Sequence, residues 1–209
     1  MESRSTAKRI GIMGGSFDPV HIGHLVIAQD AVERMELSEV VFVPAAVPPH
    51  KQHLSLADDG HRLNMLKLAV ESDIRFSVSD EELVRGGVSY TIDTVRQLKQ
   101  SIPDAEWVLV VGSDTLVDLH NWYKIDELLD LCEVATFLRP GESALESIAE
   151  KVRLPDERKD KLMRNVVDMH LVEVSSSEIR MRVAEGLSVR YLVSPEVEMY
   201  IFEHGLYRG

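Results

Sequence analysis

The sequence holds a single cysteine, Cys132, among 209 residues, which excludes an internal disulfide and argues against a cysteine-based metal cluster. Leu131 and Val134 flank it with apolar surface, and burial is the expected fate of such a thiol. Positive charge is also scarce: 23 Lys and Arg stand against 35 Asp and Glu, a formal net charge of -12. Phosphate-rich partners attract clustered cations, so neither nucleic acid nor an anionic membrane surface is expected as a partner. An anionic ligand must find a local basic pocket. No apolar run approaches the ~18 residues of a membrane span. Residues 1–15 lack the apolar core of a secretory signal, and the expected location is the cytoplasm. Neither an internal repeat nor a low-complexity linker breaks the chain.

What remains, with 44% hydrophobic residues, is enough to bury one sizeable core, and one domain over 1–209 is expected. Short β-branched runs at 9–13, 40–43, 76–78, 107–111, 134–138 and 166–172 read as buried, mostly parallel strands. Helical patterns at about 22–36, 60–71, 91–101, 125–131 and 143–152 alternate with them. The expected class is therefore α/β: a Rossmann-like open sheet, mostly parallel, with helices on both faces. The region 175–209 reads as a helical C-terminal part, with patterns at 177–186 and 195–204 and Ser194-Pro195 as a helix start. Residues 48–60 and 139–160 are expected as mobile loops, and the charge run 155–161 as a solvated face.

Chemistry is concentrated after the first strand, in Gly14-Gly15-Ser16-Phe17-Asp18-Pro19-Val20-His21-Ile22-Gly23-His24. The glycine pair permits a sharp turn and lets a ligand approach main-chain N–H groups. A helix starting near Ile22 points its positive end at the same place, where anions bind. His21 and His24, three apart, share a face and can donate to phosphate oxygens. The pattern fits neither Gly-x-x-x-x-Gly-Lys-Ser/Thr nor Gly-x-Gly-x-x-Gly. It resembles instead the signature of the nucleotidyltransferase α/β phosphodiesterase superfamily. That resemblance implies ATP or CTP binding, attack on the α-phosphate and departure of pyrophosphate, with Gly14, Gly15, Ser16, Phe17, His21 and His24 at the nucleotide.

A second motif, Ser175-Ser176-Ser177-Glu178-Ile179-Arg180, opens a later helix. Ser175 and Glu178 have capping-box spacing, so the serines can be read as a cap alone. Arg180, read as lying in the first turn, opposes the helix dipole there, and a bound anion explains it better than helix stability does. In the superfamily, a motif like Ser176-Ser177-Glu178-Ile179-Arg180 holds the β- and γ-phosphates, implying roles for Ser176, Ser177 and Arg180. The Pro48-Pro49-His50-Lys51 loop resembles one that carries Lys51 to the triphosphate. Gly112 and Asp114, at the carboxyl end of the 107–111 strand, lie where open α/β sheets bind ligands. By resemblance they contact adenosine.

Three further segments, 87–94, 120–125 and 189–195, resemble the bacterial nicotinate-nucleotide adenylyltransferases, so the likeness covers nearly the whole chain. It implies a pyridine ring on Trp122 and a carboxylate held near Tyr123 and Thr91, with Tyr90 beside them. Trp122 and Tyr123 can equally be read as core filling. Converging N–H donors suit an acceptor-only carboxylate better than an amide, so nicotinate is expected over nicotinamide. The sequence departs mildly from the family in Ser16, often Thr, and Ser175, often Ile.

The resemblance thus implies transfer of AMP from ATP to nicotinate mononucleotide by direct in-line attack. His21, His24, Lys51 and Arg180 would stabilise charge, Mg²⁺ would arrive with ATP, and no protein metal ligands are expected. Homo-oligomer formation stays open. So do an adenylyltransferase acting on nicotinamide mononucleotide or phosphopantetheine, a nucleotide sensor without chemistry, and more remotely an aminoacyl-tRNA synthetase fragment sharing His-Ile-Gly-His.

Overall fold

The computed structural model describes residues 7–49, 56–138, 145–168, 170 and 172–208, with the backbone alone at 145–147. Six strands form one parallel sheet: β1 (Arg9–Gly15), β2 (Glu39–Pro44), β3 (Phe76–Val78), β4 (Glu106–Gly112), β5 (Glu133–Phe137) and β6 (Val166–Val167). Their order is β3-β2-β1-β4-β5-β6, every pairing parallel. The order reverses beside β1, which pairs with β2 on one edge and β4 on the other, so the switch point of the sheet falls at the end of β1.

Alternation along the strands divides the core between two faces. Val40, Phe42, Val108, Val110, Ala135 and Phe137 face one side, where they meet α1 (Ile22–Arg34), α2 (Asp59–Val70), α9 (Ser176–Ala184) and α10 (Pro195–Glu203). Ile10, Ile12, Val41, Val43, Leu109 and Val134 face the other. There they meet α4 (Thr91–Ser101), α5 (Ser113–Asp118), α6 (Ile125–Leu131), α7 (Leu145–Lys151) and α8 (Asp156–Arg164). A short α3 (Glu81–Arg85) precedes α4. The α/β architecture and the helices on both faces match the sequence reading. Cys132 is buried in the second layer. Among the described residues, no helix is long and apolar enough to cross a membrane.

Three local expectations change. The strand predicted over 166–172 is only two residues long, because the chain leaves the sheet for α1: the N–H and Nδ1 of His170 bind the carboxylate of the buried Asp30 at 2.8 and 2.7 Å. The charge run 155–161 belongs to α8 rather than to a loop. Asp156 and Glu157 occupy its first turn and Lys161 and Arg164 its last, which suits the helix dipole, and Leu162 anchors it to the core. The short helices α3 and α5 have too few residues to show a period in the sequence. Of the two predicted mobile loops, residues 50–55 and 139–144 lie outside the described residues, while Asp59 and Gly60 already belong to α2.

Candidate active site

At the carboxyl ends of β1 and β4 the structure forms a cleft of about 340 Å³. Gly14, Gly15, Ser16 and His24 line it on one side, Gly112 and Asp114 at the end of β4, and Thr91 and Trp122 beyond. Part of the Gly14–His24 segment therefore shares one cavity with Thr91, Gly112, Asp114 and Trp122. Gly14 leaves open space where a Cβ would stand, while a Cβ on Gly15 would approach the Phe17 ring to 3.0 Å. Phe17 itself is buried at a φ of 46° and packs edge-on to His24, centroids 4.9 Å apart. It supports the histidine from behind.

His21 caps α1 in an extended conformation and is buried, with its ring stacked on that of His24. The main-chain N–H of His21 donates to Nδ1 of His24 at 3.2 Å. An accepting Nδ1 leaves the hydrogen of a neutral imidazole on Nε2. His21 is not among the cleft-lining side chains and serves as the second, inner ring.

The second motif approaches the same loop from the C-terminal helices. Ser175 is the N-cap of α9, its Oγ accepting from the Glu178 N–H at 3.1 Å, so the capping reading of that serine holds. Ser176 Oγ donates to the Pro19 carbonyl at 2.8 Å. Arg180 is the fifth residue of α9, just past the first turn in which the sequence reading put it. Its Nη1 donates to the Asp18 carbonyl at 2.7 Å, and Nη2 to Ser177 Oγ at 3.2 Å. The guanidinium thus has protein partners, one of them on the loop after β1, and a bound anion is not needed to explain its presence. Neither Ser176, Ser177 nor Arg180 lines the cleft wall. Lys51, predicted at the triphosphate, lies outside the described residues.

On the acceptor side, Trp122 is partly buried and lines the cleft, resting on the core behind it. Tyr123 is 50% exposed and meets Tyr90, ring centroids 4.7 Å apart, and neither ring is among the cleft-lining residues. Thr91 opens α4, with Tyr90 as its N-cap residue, and lines this end of the cleft. Ser89 links two loops: its Oγ accepts from Ala46 N–H and its N–H donates to the Val47 carbonyl, both at 3.0 Å.

Several contributors escape sequence reasoning. Glu82 and Thr94 line the cleft, the buried Glu82 carboxylate accepting from Thr94 Oγ1 with Arg85 Nη2 donating to the same hydroxyl at 3.1 Å. Glu82 lies on the five-residue α3, too short to announce itself. Arg62 is wholly buried and ties the loop after β1 to the chain before α2, donating to the Ser16 carbonyl at 2.7 Å and the Ala57 carbonyl at 3.1 Å and pairing with Asp59. A lone arginine inside a helical pattern carries no sequence signal for such a role.

Residues 12–182 match the cytidylyltransferase-like family. A Shouchella clausii protein named "Probable nicotinate-nucleotide adenylyltransferase" is 46% identical over 205 residues, covering 96% of this chain and 97% of its own. A Synechococcus protein of the same name is 43% identical over 204 residues, covering 96% and 95%. In fold, the chain resembles the nicotinic acid mononucleotide adenylyltransferase of Plasmodium falciparum, solved as a complex with NaAD, at a TM-score of 0.75 and 21% identity over 96% of this chain and 97% of that one. With the switch-point cleft, the Gly-Gly turn and the paired histidines already in place, this extent of identity assigns the chain to the cytidylyltransferase-like family, among the nicotinate-nucleotide adenylyltransferases.

Proposed function

We propose that the chain transfers AMP from ATP to nicotinate mononucleotide, forming nicotinate adenine dinucleotide and pyrophosphate as a step of NAD biosynthesis. One observation carries this reading: a single cleft is lined both by the Gly14–Ser16 turn with His24 and by Thr91 with Trp122. A 5′-phosphate oxygen of the acceptor attacks the α-phosphorus of ATP in line, the bond to the bridging oxygen breaks, and pyrophosphate leaves. The attacking phosphate is already anionic, so no protein nucleophile or base is required, and the chain's work is positioning and charge neutralisation.

In this reading His24, backed by His21, donates to the phosphates, and Gly14, Gly15 and Ser16 let them approach the main chain. Lys51 and Arg180, with Ser176 and Ser177, serve the β- and γ-phosphates, Gly112 and Asp114 adenosine. Trp122 stacks on the pyridine ring, whose carboxylate takes N–H groups near Thr91 and Tyr123 with Tyr90 at the rim. Mg²⁺ enters as part of the MgATP substrate, carried mainly by phosphate oxygens and water.

A pyrophosphate-release assay with MgATP and, separately, nicotinate mononucleotide, nicotinamide mononucleotide and phosphopantetheine tests the proposal. The expected result is the highest kcat/KM with nicotinate mononucleotide. A higher value for either other acceptor overturns the substrate assignment. ATP binding without pyrophosphate release for any acceptor makes the chain a nucleotide sensor instead.

A further inference from the structure

Asp18 sits in the phosphate loop with 1% of its surface exposed, and a carboxylate so buried needs its charge answered by donors or cations. Its two oxygens are answered differently. Oδ1 accepts from the Tyr207 hydroxyl at 2.8 Å and from the Ala57 N–H at 3.2 Å. Oδ2 accepts no hydrogen bond among the described residues and faces Nη1 of Arg180 at 3.7 Å. That same Nη1 is already bound to the Asp18 carbonyl. Arg180 is therefore held near the carboxylate without closing onto it.

Tyr207 reaches this point from beyond α10, at the opposite end of the chain, with its backbone held at a φ of 61°. Burial, and then the neighbouring Asp18 carboxylate, raise its phenol far above the ordinary range, so the hydroxyl remains a donor at any working pH. Two donors on Oδ1 draw the negative charge of the carboxylate toward that oxygen. Remove one, and the unmet demand is best satisfied by Arg180, the cation that faces Oδ2 at 3.7 Å, which would then close on Asp18 as a charge-assisted pair.

We propose that Tyr207 is a positioning residue for the triphosphate: by hydrogen-bonding Oδ1 of Asp18 it limits that carboxylate's hold on Arg180, so that the guanidinium can exchange its bonds to the Asp18 carbonyl and Ser177 Oγ for the β- and γ-phosphates. The inference rests on reading the Ser176–Arg180 motif as the triphosphate side of the site. Tyr207 touches no substrate and acts only through Asp18 and Arg180.

The test is a binding cycle on the full chain with α,β-methylene-ATP and Mg²⁺, read by titration calorimetry in the wild type, Y207F, R180Q and the double variant. Y207F is expected to weaken binding about fivefold, the equivalent of one net hydrogen bond. In the R180Q background the same change is expected to have less than about a twofold effect, since coupled residues are non-additive. The KM for nicotinate mononucleotide should not move. An equal loss with and without Arg180 overturns the proposal, as does an unchanged affinity in Y207F.

D18N checks the same coupling where Y207F proves too unstable to measure. It removes the charge that competes for Arg180 while keeping an acceptor for Tyr207, and should bind the analogue at least as tightly as the wild type; weaker binding overturns the proposal. A wild type that binds no ATP analogue defeats the proposed function itself. A wild type that binds the analogue but does not transfer AMP from ATP to nicotinate mononucleotide defeats only the acceptor assignment and leaves the Tyr207 coupling measurable.

Discussion

The main-chain N–H of His21 donates to Nδ1 of His24 at 3.2 Å while the two rings stack with centroids 3.7 Å apart and 27° between their planes. The helix cap and the proposed phosphate donor are thus one local structure, and the backbone sets both the tautomer and the plane of the His24 ring. Replacing His24 with Ala should lower kcat by at least ~10², the usual cost of one well-placed donor to developing charge. Circular dichroism should show an unchanged fold. Near-normal turnover would remove His24 from the mechanism.

Two glycines of the same strand should respond oppositely to a methyl group. At Gly11 a Cβ would stand 2.8 Å from Leu37 Cδ1 and 3.0 Å from Val40 Cγ2, inside the packed layer. Gly11→Ala should cost ~1–3 kcal/mol of stability by overpacking. At Gly14 the added carbon meets nothing within 4 Å, so Gly14→Ala should change stability by less than about 0.5 kcal/mol. If that open space takes the triphosphate, Gly14→Ala should still weaken ATP binding by about tenfold. Thermal melts and ATP titrations of both variants separate the two roles.

Arg62 supports the loop after β1 from inside the protein. Arg62→Met keeps most of the volume but leaves the Ser16 and Ala57 carbonyls without their donor. The expected loss is roughly 2–4 kcal/mol for the unsatisfied buried groups, seen as a fall in Tm of roughly 5–15 °C. The partner Asp59 is half exposed and can be rehydrated, so it adds little. A Tm within a degree or two of the wild type would show that the loop is held by other contacts.

Burial pushes the Cys132 thiol up to about 12 from an ordinary value of 9.0. A folded-state value above the unfolded one contributes stability that is complete below pH 9 and is lost as pH rises toward 12. Alkaline unfolding should therefore be less steep in Cys132→Ala over that window. In the native protein at pH 8, a thiol reagent should react on the timescale of unfolding, and denaturant should accelerate it. Prompt stoichiometric labelling without denaturant would contradict the burial.

How far the sequence could be read depended on the range of the signal. Strands such as Trp107–Val111 announce themselves by consecutive apolar β-branched residues, and the Gly14–His24 segment by fixed spacing, so the sheet and the loop above it were legible. The end of β6 was not. Valines at both ends of 166–172 suggest one strand, but Asp168 disfavours it, and the buried Asp30, far away in sequence, captures His170 and draws the chain away from the sheet. Arg180 was legible as functional by pattern, while its actual contacts with Asp18 and Ser177 depend on how α9 docks on the loop. Arg62, Glu82 and Tyr207 gave no signal because each acquires meaning only from partners brought together by the fold.

The placement of β1 at the centre of the sheet has a consequence for how the protein comes apart. It is hydrogen-bonded along both edges, whereas β3 has three residues and β6 only two, each with one neighbour. Local opening should begin at those outer strands, and the amides of Ile10 and Ile12 should exchange with solvent among the last. The turn at Gly14 and Gly15 grows from the final part of the molecule to open. Fluctuations that loosen the periphery can therefore reshape the walls of the cleft while the loop at its base keeps its form.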